Sequence, residues 1–457
     1  MSVSPARKIA FEALRRVETE GAYASDVLHA ALDARAKPAD AALATELTFG
    51  VLRQRRLLDF LLDRQLKRPA ARLDLPVLLS LRMGLYQLRF LERIPARAAV
   101  HESVELARRA RKASAAPLVN AVLRRAAEEA GQPAEAFVPR NLAPAERLGI
   151  LHSHPTWMVE RWLERWGEAR TVALLEANNR APLSNCALGE SSRHDEILAA
   201  LEKSGMRAEP GHLLKEAFAV SGGNPARSEA FRTGKISIQD EASQAIPLLL
   251  EVRAGDRVLD LCAAPGGKTP PLARAAGSRG VVIAADRHAH RLRAMRAQFE
   301  RLELRSVCLA ELDATERLPF GIPFNRILVD APCSGTGTLA RHPEIRWRLL
   351  PEKLGEFHNL QAKILSNALA ALAPGGRLIY STCSLEREEN EEVVAEVLRE
   401  NPTLRRATAG DLARALAPHL APGVTASALF DDAGQFRTLP GQHETDGFFA
   451  AALENSD

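Results

Sequence analysis

The stretch that decides the fold is Val258-Leu259-Asp260-Leu261-Cys262-Ala263-Ala264-Pro265-Gly266-Gly267-Lys268-Thr269. It opens with three apolar residues around one acid, which predict a short buried strand. A proline and two glycines then break the strand, and a helix can begin after Lys268 and Thr269. A glycine-rich turn lets the backbone approach a ligand closely, and open α/β sheets bind cofactors at the carboxyl ends of their parallel strands. The stretch therefore predicts a cofactor loop.

Two common phosphate-binding loops do not fit this stretch. A Walker A loop needs a glycine where this chain has Cys262, and the dinucleotide fingerprint G-x-G-x-x-G is absent. The next predicted strand, 281–285, ends in Asp286. A carboxylate at the tip of the second strand can accept both hydroxyl protons of a ribose, although Asp286 could also serve as a helix N-cap. We expect a nucleoside cofactor whose ribose binds Asp286.

Two further predicted strands each place a cysteine at the carboxyl end, beside the expected cofactor. Arg326-Ile327-Leu328-Val329 leads into Asp330-Ala331-Pro332-Cys333-Ser334-Gly335. Arg377-Leu378-Ile379-Tyr380 leads into Ser381-Thr382-Cys383-Ser384. For one cysteine alone, a small buried packing residue would be an equally good explanation. Two cysteines at such strand ends favour chemistry over packing.

These motifs resemble those of the RNA 5-methylcytosine methyltransferases that use S-adenosyl-L-methionine. The resemblance is carried by the loop 262–268, by 330–335 and by 381–384, and Thr445-Asp446-Gly447-Phe448-Phe449 resembles that family's last catalytic strand. The segments 46–53 and 118–125 resemble the NusB-like all-helical RNA-binding domain. Together these domains resemble the bacterial enzymes that form 5-methylcytosine in small-subunit (16S) ribosomal RNA, the RsmB/Sun/Fmu family.

The resemblance and the alternation of predicted elements divide the chain into three parts. Residues 1–140 are expected to form a NusB-like all-helical RNA-binding domain. Residues 141–235 are expected to hold a linker helix and a small α+β RNA-recognition-like module. Residues 236–457 are expected to form a Rossmann-like α/β methyltransferase domain with a mostly parallel sheet. The segment 405–440 has little periodic pattern and is expected to be a long insertion or loop.

Composition and charge are consistent with a cytoplasmic RNA-binding enzyme. The 457 residues allow two to four domains, and the five scattered cysteines include no C-x-x-C pair, so neither a disulfide framework nor a metal site is indicated. No apolar run is long enough to span a membrane, and no apolar signal core follows the first ten residues. Residues 1–140 carry a net charge of +8 against −4 for the remainder, which suggests a nucleic-acid footprint or, equally, solvated helix faces. We expect a monomer.

The chemistry implied by the family needs a positioned thiol. Cytosine carbon-5 is a poor nucleophile until a thiolate adds to carbon-6. Pro332-Cys333 resembles the nucleophile motif of DNA cytosine methyltransferases, whereas Thr382-Cys383 occupies the position that the RNA family uses. The resemblance of the whole domain therefore implies Cys383 as nucleophile and Cys333 as the residue that helps release the enzyme. The remaining cysteines, Cys186 and Cys308, are expected to be packing residues.

The resemblance also implies roles for the acids and the loop. Asp330 would hydrogen-bond the target base, and Asp313 would meet the adenine end of the cofactor, although Leu312 stands where the family usually has glycine. Lys268 would contact the methionine carboxylate or the substrate, or be an ordinary exposed lysine. The basic, aromatic segment 341–347 could hold RNA backbone. The cofactor-binding residues implied are Cys262, Ala263, Ala264, Pro265, Gly266, Gly267, Lys268, Asp286, Asp313 and Asp330.

Two other functions remain open at this point. One is a non-catalytic RNA-binding or assembly factor with a relic methyltransferase domain, although both cysteines, Asp330 and the glycine loop are intact. The other is a DNA cytosine methyltransferase that uses Cys333, although the all-helical N-terminal part and the motif 381–384 argue against it.

Overall fold

The computed structural model describes residues 3–32, 37–189 and 194–455. The chain forms two compact units, Met1–Arg180 with Leu339–Arg348, and Ala181–Thr338 with Leu349–Asp457. None of the helices described in these ranges is long and apolar enough to cross a membrane.

Helices account for most of the first unit and cover the sheets of the second. The α-helices of the described residues are α1 (Pro5–Glu20), α2 (Ala24–Ala31), α3 (Pro38–Arg53), α4 (Arg55–Asp63), α5 (Leu75–Phe90), α6 (Ala96–Arg109), α7 (Ala116–Glu128), α8 (Pro144–Leu151), α9 (Thr156–Asn179), α10 (His194–Lys203), α11 (Glu229–Arg232), α12 (Glu241–Ala245), α13 (Thr269–Ala276), α14 (Ala289–Arg301), α15 (Ile345–Arg348), α16 (Lys353–Leu369), α17 (Glu391–Glu400) and α18 (Ala409–Leu416).

The strands all lie in the second unit. They are β1 (Ser184–Leu188), β2 (Arg207–Pro210), β3 (Ala217–Ser221), β4 (Ile236–Ile238), β5 (Arg257–Leu261), β6 (Val281–Asp286), β7 (Val307–Glu311), β8 (Phe324–Asp330), β9 (Leu372–Thr382), β10 (Leu404–Arg406), β11 (Phe436–Thr438) and β12 (Phe448–Asn455).

The first unit is all-helical, as the sequence predicts. Helix α1 begins with Pro5 in its first turn, where a missing N–H costs nothing, and ends at Gly21, whose φ of 65° is left-handed. Its residues Leu14 and Val17 recur at helical spacing and are buried. They join one core with residues from α3 to α7. The indole of Trp162 is also buried.

A small antiparallel sheet opens the second unit. Its strand order is β2-β3-β1-β4, and α10 packs against it through Ile197 and Leu201, beside Phe218. This confirms the small α+β module expected before the catalytic part. Residues 236–238 form the edge strand β4, which pairs with β1 through Cys186 and Ile238.

The large sheet has the order β10-β12-β9-β8-β5-β6-β7, with β11 paired to β12. Strands β9, β8, β5, β6 and β7 are parallel, and β12 is antiparallel to β9. The chain runs outward from β5 through β6 to β7 and then returns to β8 on the other side of β5. Strand order therefore reverses between β5 and β8, and open α/β sheets bind ligands outside the carboxyl ends of strands at such a point. The predicted Rossmann-like architecture is confirmed.

The expectation of a long loop over 405–440 is wrong. This segment contains α18 and β11, and Leu412 and Leu416 of α18 are buried in the core that covers one face of the large sheet. Thr408 caps the helix by accepting a hydrogen bond from the Asp411 N–H at 3.1 Å. Two leucines in an eight-residue helix are too short a pattern to be recognised in sequence.

Candidate active site

The predicted cofactor loop lies between β5 and α13, at the carboxyl end of the central strand. Cys262 and Gly266 both have positive φ, 65° and 96°, and the peptide between Ala264 and Pro265 is cis. A Cβ added at Gly266 would lie 3.1 Å from side-chain carbons of Met295 and Phe299. This position therefore requires glycine for two reasons, its backbone conformation and the close approach of α14.

Asp260 lies buried beneath this loop. Its Oδ2 accepts a hydrogen bond from the Thr269 hydroxyl at 2.6 Å, so the acid ties β5 to the first turn of α13. Burial raises the pKa of Asp260 to about 7, against the opposing effect of the hydrogen bond from Thr269. Among the described residues, the other oxygen, Oδ1, is buried without a hydrogen-bond partner. A donor supplied by a ligand would satisfy that oxygen.

Asp286 and Asp313 follow the carboxyl ends of β6 and β7. Asp286 is buried, and its Oδ1 accepts the His288 N–H at 2.9 Å, which leaves Oδ2 without a partner in the described chain. Both oxygens of Asp313 are engaged, Oδ1 by the hydroxyl and N–H of Thr315 and Oδ2 by Arg287 at 3.3 Å. The hydrogen bonds from Thr315 lower the pKa of Asp313. Asp286 is thus the better placed of the two to accept ligand hydroxyls.

Lys268 and Asp330 form an ion pair at the edge of the same crevice. The Lys268 Nζ lies 2.6 Å from Asp330 Oδ2, and the Ser381 hydroxyl donates to Asp330 Oδ1 at 2.8 Å. Lys268 is buried, with its ammonium 5.1 Å from the centre of the Phe448 ring, so it is not an ordinary exposed lysine. The pair fixes the Asp330 carboxylate between the cofactor loop and the end of β9.

The two cysteines predicted at strand ends lie side by side. Because β8 and β9 are parallel neighbours, Cys333 and Cys383 extend from the same edge, and their sulfur atoms are 3.4 Å apart. Both thiols are free and half-buried. The hydrogen bond with Cys383, together with burial, raises the pKa of Cys333 well above its ordinary value. Cys333 therefore carries its proton at neutral pH.

One buried acid joins the two cysteine loops, and the sequence analysis did not identify it. Glu389 accepts the Ser334 N–H at 2.7 Å, the Ser384 hydroxyl at 2.5 Å and the Gln361 amide at 3.0 Å, and it also accepts the Ser334 hydroxyl. Burial raises its pKa, against these hydrogen bonds. Ser334 follows Cys333 and Ser384 follows Cys383, so a single carboxylate holds both loops in place. In sequence, Glu389 stands in an acidic run that is typical of a solvated helix start.

The other cysteines are separate from this site. Cys186 is buried in the small sheet, and burial raises the pKa of its thiol to about 12, as fits the expected packing role. Cys308 is exposed on β7, so the expectation that it packs is wrong. Strand β7 is at the edge of the large sheet, a position that a strand pattern alone cannot show.

In the segment 341–347, Arg346 is buried and Trp347 is half-buried. This segment belongs to the helical unit, where the Arg346 guanidinium is fully buried and donates to the backbone oxygens of Ser153 at 3.1 Å and Asn178 at 3.0 Å. The Trp347 indole donates to the Leu52 oxygen at 2.8 Å. These two side chains are engaged within the helical unit, and the expectation that the segment 341–347 contacts RNA backbone stays a prediction that rests on its other residues.

Comparisons with protein families and curated proteins agree along the chain. A family model for the 16S rRNA methyltransferase RsmB/F matches residues 247–454, a NusB family model matches 4–128, and a ferredoxin-like domain model of RsmF/B-like methyltransferases matches 154–226. The chain is 31% identical to a probable ribosomal RNA small subunit methyltransferase B of Bacillus subtilis, over 99% of both chains. It is 35% identical to the ribosomal RNA small subunit methyltransferase B of Pseudomonas putida, over 90% of this chain and 93% of that one.

Solved structures with the same fold include that of PH0851. The superposition with PH0851 covers 99% of this chain and 99% of that one, with a TM-score of 0.80 at 25% sequence identity. A methyltransferase homolog protein from Pyrococcus horikoshii covers 69% of this chain and 100% of its own, with a TM-score of 0.56 at 29% identity.

Proposed function

We propose, since this chain belongs to the RsmB/F family of small-subunit ribosomal RNA methyltransferases, that it forms 5-methylcytosine in 16S ribosomal RNA. The reaction would pass through a covalent adduct between Cys383 and cytosine carbon-6. The observation that carries the proposal is the pair of thiols, 3.4 Å apart, at the ends of neighbouring parallel strands. Such a pair can divide attack and release between two sulfur atoms.

The methyl donor is S-adenosyl-L-methionine, and the residues of the crevice fit it. Gly266 leaves room for a close backbone approach, Asp286 keeps one carboxylate oxygen for a ribose diol, and the unpartnered Oδ1 of Asp260 can accept a donor. When bound, this cofactor supplies an electrophilic methyl group. The residues that would hold it are Cys262, Ala263, Ala264, Pro265, Gly266, Gly267, Lys268, Asp286, Asp313 and Asp330.

Cys383 would act as the nucleophile. Its thiolate adds to carbon-6 of the cytosine, and the electron pair of the ring double bond moves toward carbon-5 and N3. N3 of the base would take a proton from solvent, and the Asp330 carboxylate, held by Lys268 and Ser381, would accept a hydrogen bond from that protonated N3 and so favour this shift of electrons.

After carbon-5 has taken the methyl group, with S-adenosylhomocysteine as the leaving group, release would reverse the attack. The proton of carbon-5 passes to water, the double bond re-forms, and the bond between carbon-6 and the Cys383 sulfur breaks with its electron pair on sulfur. Cys333, whose sulfur lies 3.4 Å from the Cys383 sulfur, would assist this step by stabilising the leaving thiolate. The target base has to be unpaired or extruded from its helix to reach these residues.

The three parts of the chain would have different functions. Residues 236–457 would bind the cofactor and the target base, residues 141–235 would connect and support the catalytic part, and residues 1–140 would bind RNA. The excess positive charge of residues 1–140 supports this division, because phosphate contacts position RNA without reading its sequence.

The test is methylation of defined RNA. The protein is incubated with 16S ribosomal RNA and S-adenosylmethionine labelled in the methyl group, and the modified nucleoside is identified and mapped. We expect label in 5-methylcytosine at a discrete position. A parallel incubation contains DNA in place of RNA. Label in another nucleoside, or in DNA but not in RNA, would contradict the proposal, and a complete lack of transfer with intact cofactor binding would favour a relic domain.

A further inference from the structure

A groove of about 730 Å³ lies on the helical unit between α6 and α7. Its floor is apolar and includes Val100 and Val104 of α6. Its walls are polar and mostly basic. The polar wall residues are Arg97, His101, Arg108, Asn120, Arg124 and Glu128.

The spacing of these residues gives each helix one polar edge along the groove. On α6, Arg97, His101 and Arg108 recur at intervals of four and seven residues, which places them on one face. Asn120 and Arg124 of α7 are four residues apart and face them. From Arg97 to Arg108 the edge extends about 16 Å at 1.5 Å per residue, which is long enough for several nucleotides of a strand.

The basic side chains of this groove are largely uncommitted. Within the described chain, Arg97, His101 and Arg124 make no side-chain hydrogen bond or ion pair. Arg108 pairs only with Glu105 of its own helix, and three arginines face one acid, Glu128, across the groove. By contrast, the nearby Lys112 pairs with Asp74 at 2.6 Å.

We propose that this groove binds the phosphodiester backbone of ribosomal RNA, with Arg97 and Arg124 as opposed phosphate contacts. The proposal rests on the proposed function, because it takes RNA as the polyanion that reaches the helical unit. Arginine suits the role, since its planar fork can donate two hydrogen bonds to one phosphate. The apolar floor would pack against sugars between those phosphates.

The experiment is a binding titration with the full chain carrying Arg97→Glu and Arg124→Glu together. The probe is a labelled single-stranded oligo-uridylate of about 20 nucleotides, measured over a range of salt concentrations. The control, Arg72→Glu with Arg170→Glu, makes the same change in net charge at two exposed arginines of the same unit that lie outside the groove. Folding of each variant is checked by its melting temperature, and Arg97→Gln with Arg124→Gln is a milder second variant.

We expect the groove variant to lose roughly tenfold or more in RNA affinity at 0.1 M salt, and the slope of log affinity against log salt to fall by about 1.4, the value for two phosphates of a single strand. The control should keep the wild-type slope.

Equal slopes for groove variant and control would overturn the groove proposal, even if the wild type methylates 16S RNA. Displacement of the RNA probe by polyglutamate at equal charge would overturn it in favour of an acidic protein partner. If the wild type does not methylate 16S RNA, the proposed function fails. A reduced slope of log affinity against log salt in the groove variant, with the wild-type slope in the control, would still support RNA binding by the groove.

Discussion

At the scale of single residues, the two thiols have different environments although they are neighbours. The raised pKa of Cys333 keeps this sulfur protonated, and Cys383 is the sulfur at the end of β9, beside Ser381 and the Asp330 carboxylate. A protonated thiol is a poor nucleophile but a good hydrogen-bond donor to a neighbouring thiolate. The proposed roles, attack by Cys383 and assistance by Cys333, are compatible with this contact, because the two sulfur atoms are 3.4 Å apart.

Substitution of each cysteine should separate these roles. Cys383→Ala should reduce methylation by about 10⁴-fold or more and form no covalent complex. Cys333→Ala should still attack and methylate, but release should stall, so that a protein–RNA species resistant to denaturing gels accumulates with RNA and cofactor. The double variant should show no such species, and Cys308→Ala is a control at an exposed cysteine. An adduct trapped only in Cys383→Ala would reverse the assignment.

Glu389 should act as a positioning residue for both cysteines. Glu389→Gln keeps the shape but turns one acceptor into a donor, so hydrogen bonds to the serines that follow each cysteine weaken. We expect kcat to fall roughly 10- to 100-fold, since small displacements of reacting groups have effects of that size. Affinity for the cofactor, measured by calorimetry, should stay unchanged, and alkylation of Cys383 by a small reagent should change in rate.

Glu392→Gln, at an exposed acid three residues further on, is the matched control and should behave as the wild type. If Glu389→Gln has wild-type kcat, the network serves stability alone.

At the scale of elements, the site depends on the turn that joins β5 to α13. Gly266 combines a φ of 96° with contact distances of 3.1 Å from an added Cβ to the α14 side chains. Gly277, at the other end of α13, also has positive φ, 65°, but an added Cβ would meet nothing within 4 Å. Substitution of Gly277 would therefore introduce backbone strain alone, whereas substitution of Gly266 would introduce both backbone strain and a steric contact.

Gly266→Ala should weaken cofactor binding, because the loop has to shift to relieve the contact. Gly277→Ala should cost about 1 kcal/mol of stability from strain and leave cofactor affinity unchanged. Isothermal calorimetry with S-adenosylmethionine and melting curves measure the two effects. Equal cofactor affinity in both variants would show that the turn does not approach the ligand.

At the scale of the whole molecule, the helical unit is completed by a segment that is distant in sequence. Residues 339–348 follow the Cys333 loop along the chain but belong to the helical unit, where Arg346 donates to backbone oxygens from α9 and from the turn before it. Burial lowers the pKa of Arg346, although its carbonyl partners compensate part of the lost hydration. A deletion of residues 1–140 would remove much of the unit that encloses this charge, so point variants are the cleaner test of RNA binding.

Arg346→Met should destabilise the helical unit by roughly 3–5 kcal/mol, because it removes the donor and leaves several buried carbonyl groups without a partner. Thermal unfolding of the full chain should then show an earlier first transition. Arg341→Met, at a half-buried arginine of the same segment, is the control and should shift the transition much less. An unchanged melting profile for Arg346→Met would mean that the helical unit does not depend on this guanidinium.

The sequence by itself determined the catalytic fold and most of the candidate site. Parallel strands buried on both faces are short apolar runs, and the residues that end them, such as Gly266, Asp286 and Cys383, stand next to those runs in the chain. Because the carboxyl ends of parallel strands share one edge, adjacency to a strand end was enough to predict that these residues meet. The helical N-terminal part was likewise evident from apolar spacing alone.

Tertiary structure decided what depends on burial by distant residues. Glu389 is buried and anchors two loops only because the loops after β8 and β9 both donate hydrogen bonds to it. Arg346 is a core residue only because α9 and the turn before it enclose its side chain. Helix α18 is stabilised by packing against the core on one face of the large sheet, which the sequence of its eight residues does not indicate. In each case the local sequence is polar or weakly patterned, and the free energy that fixes the structure comes from contacts made far along the chain.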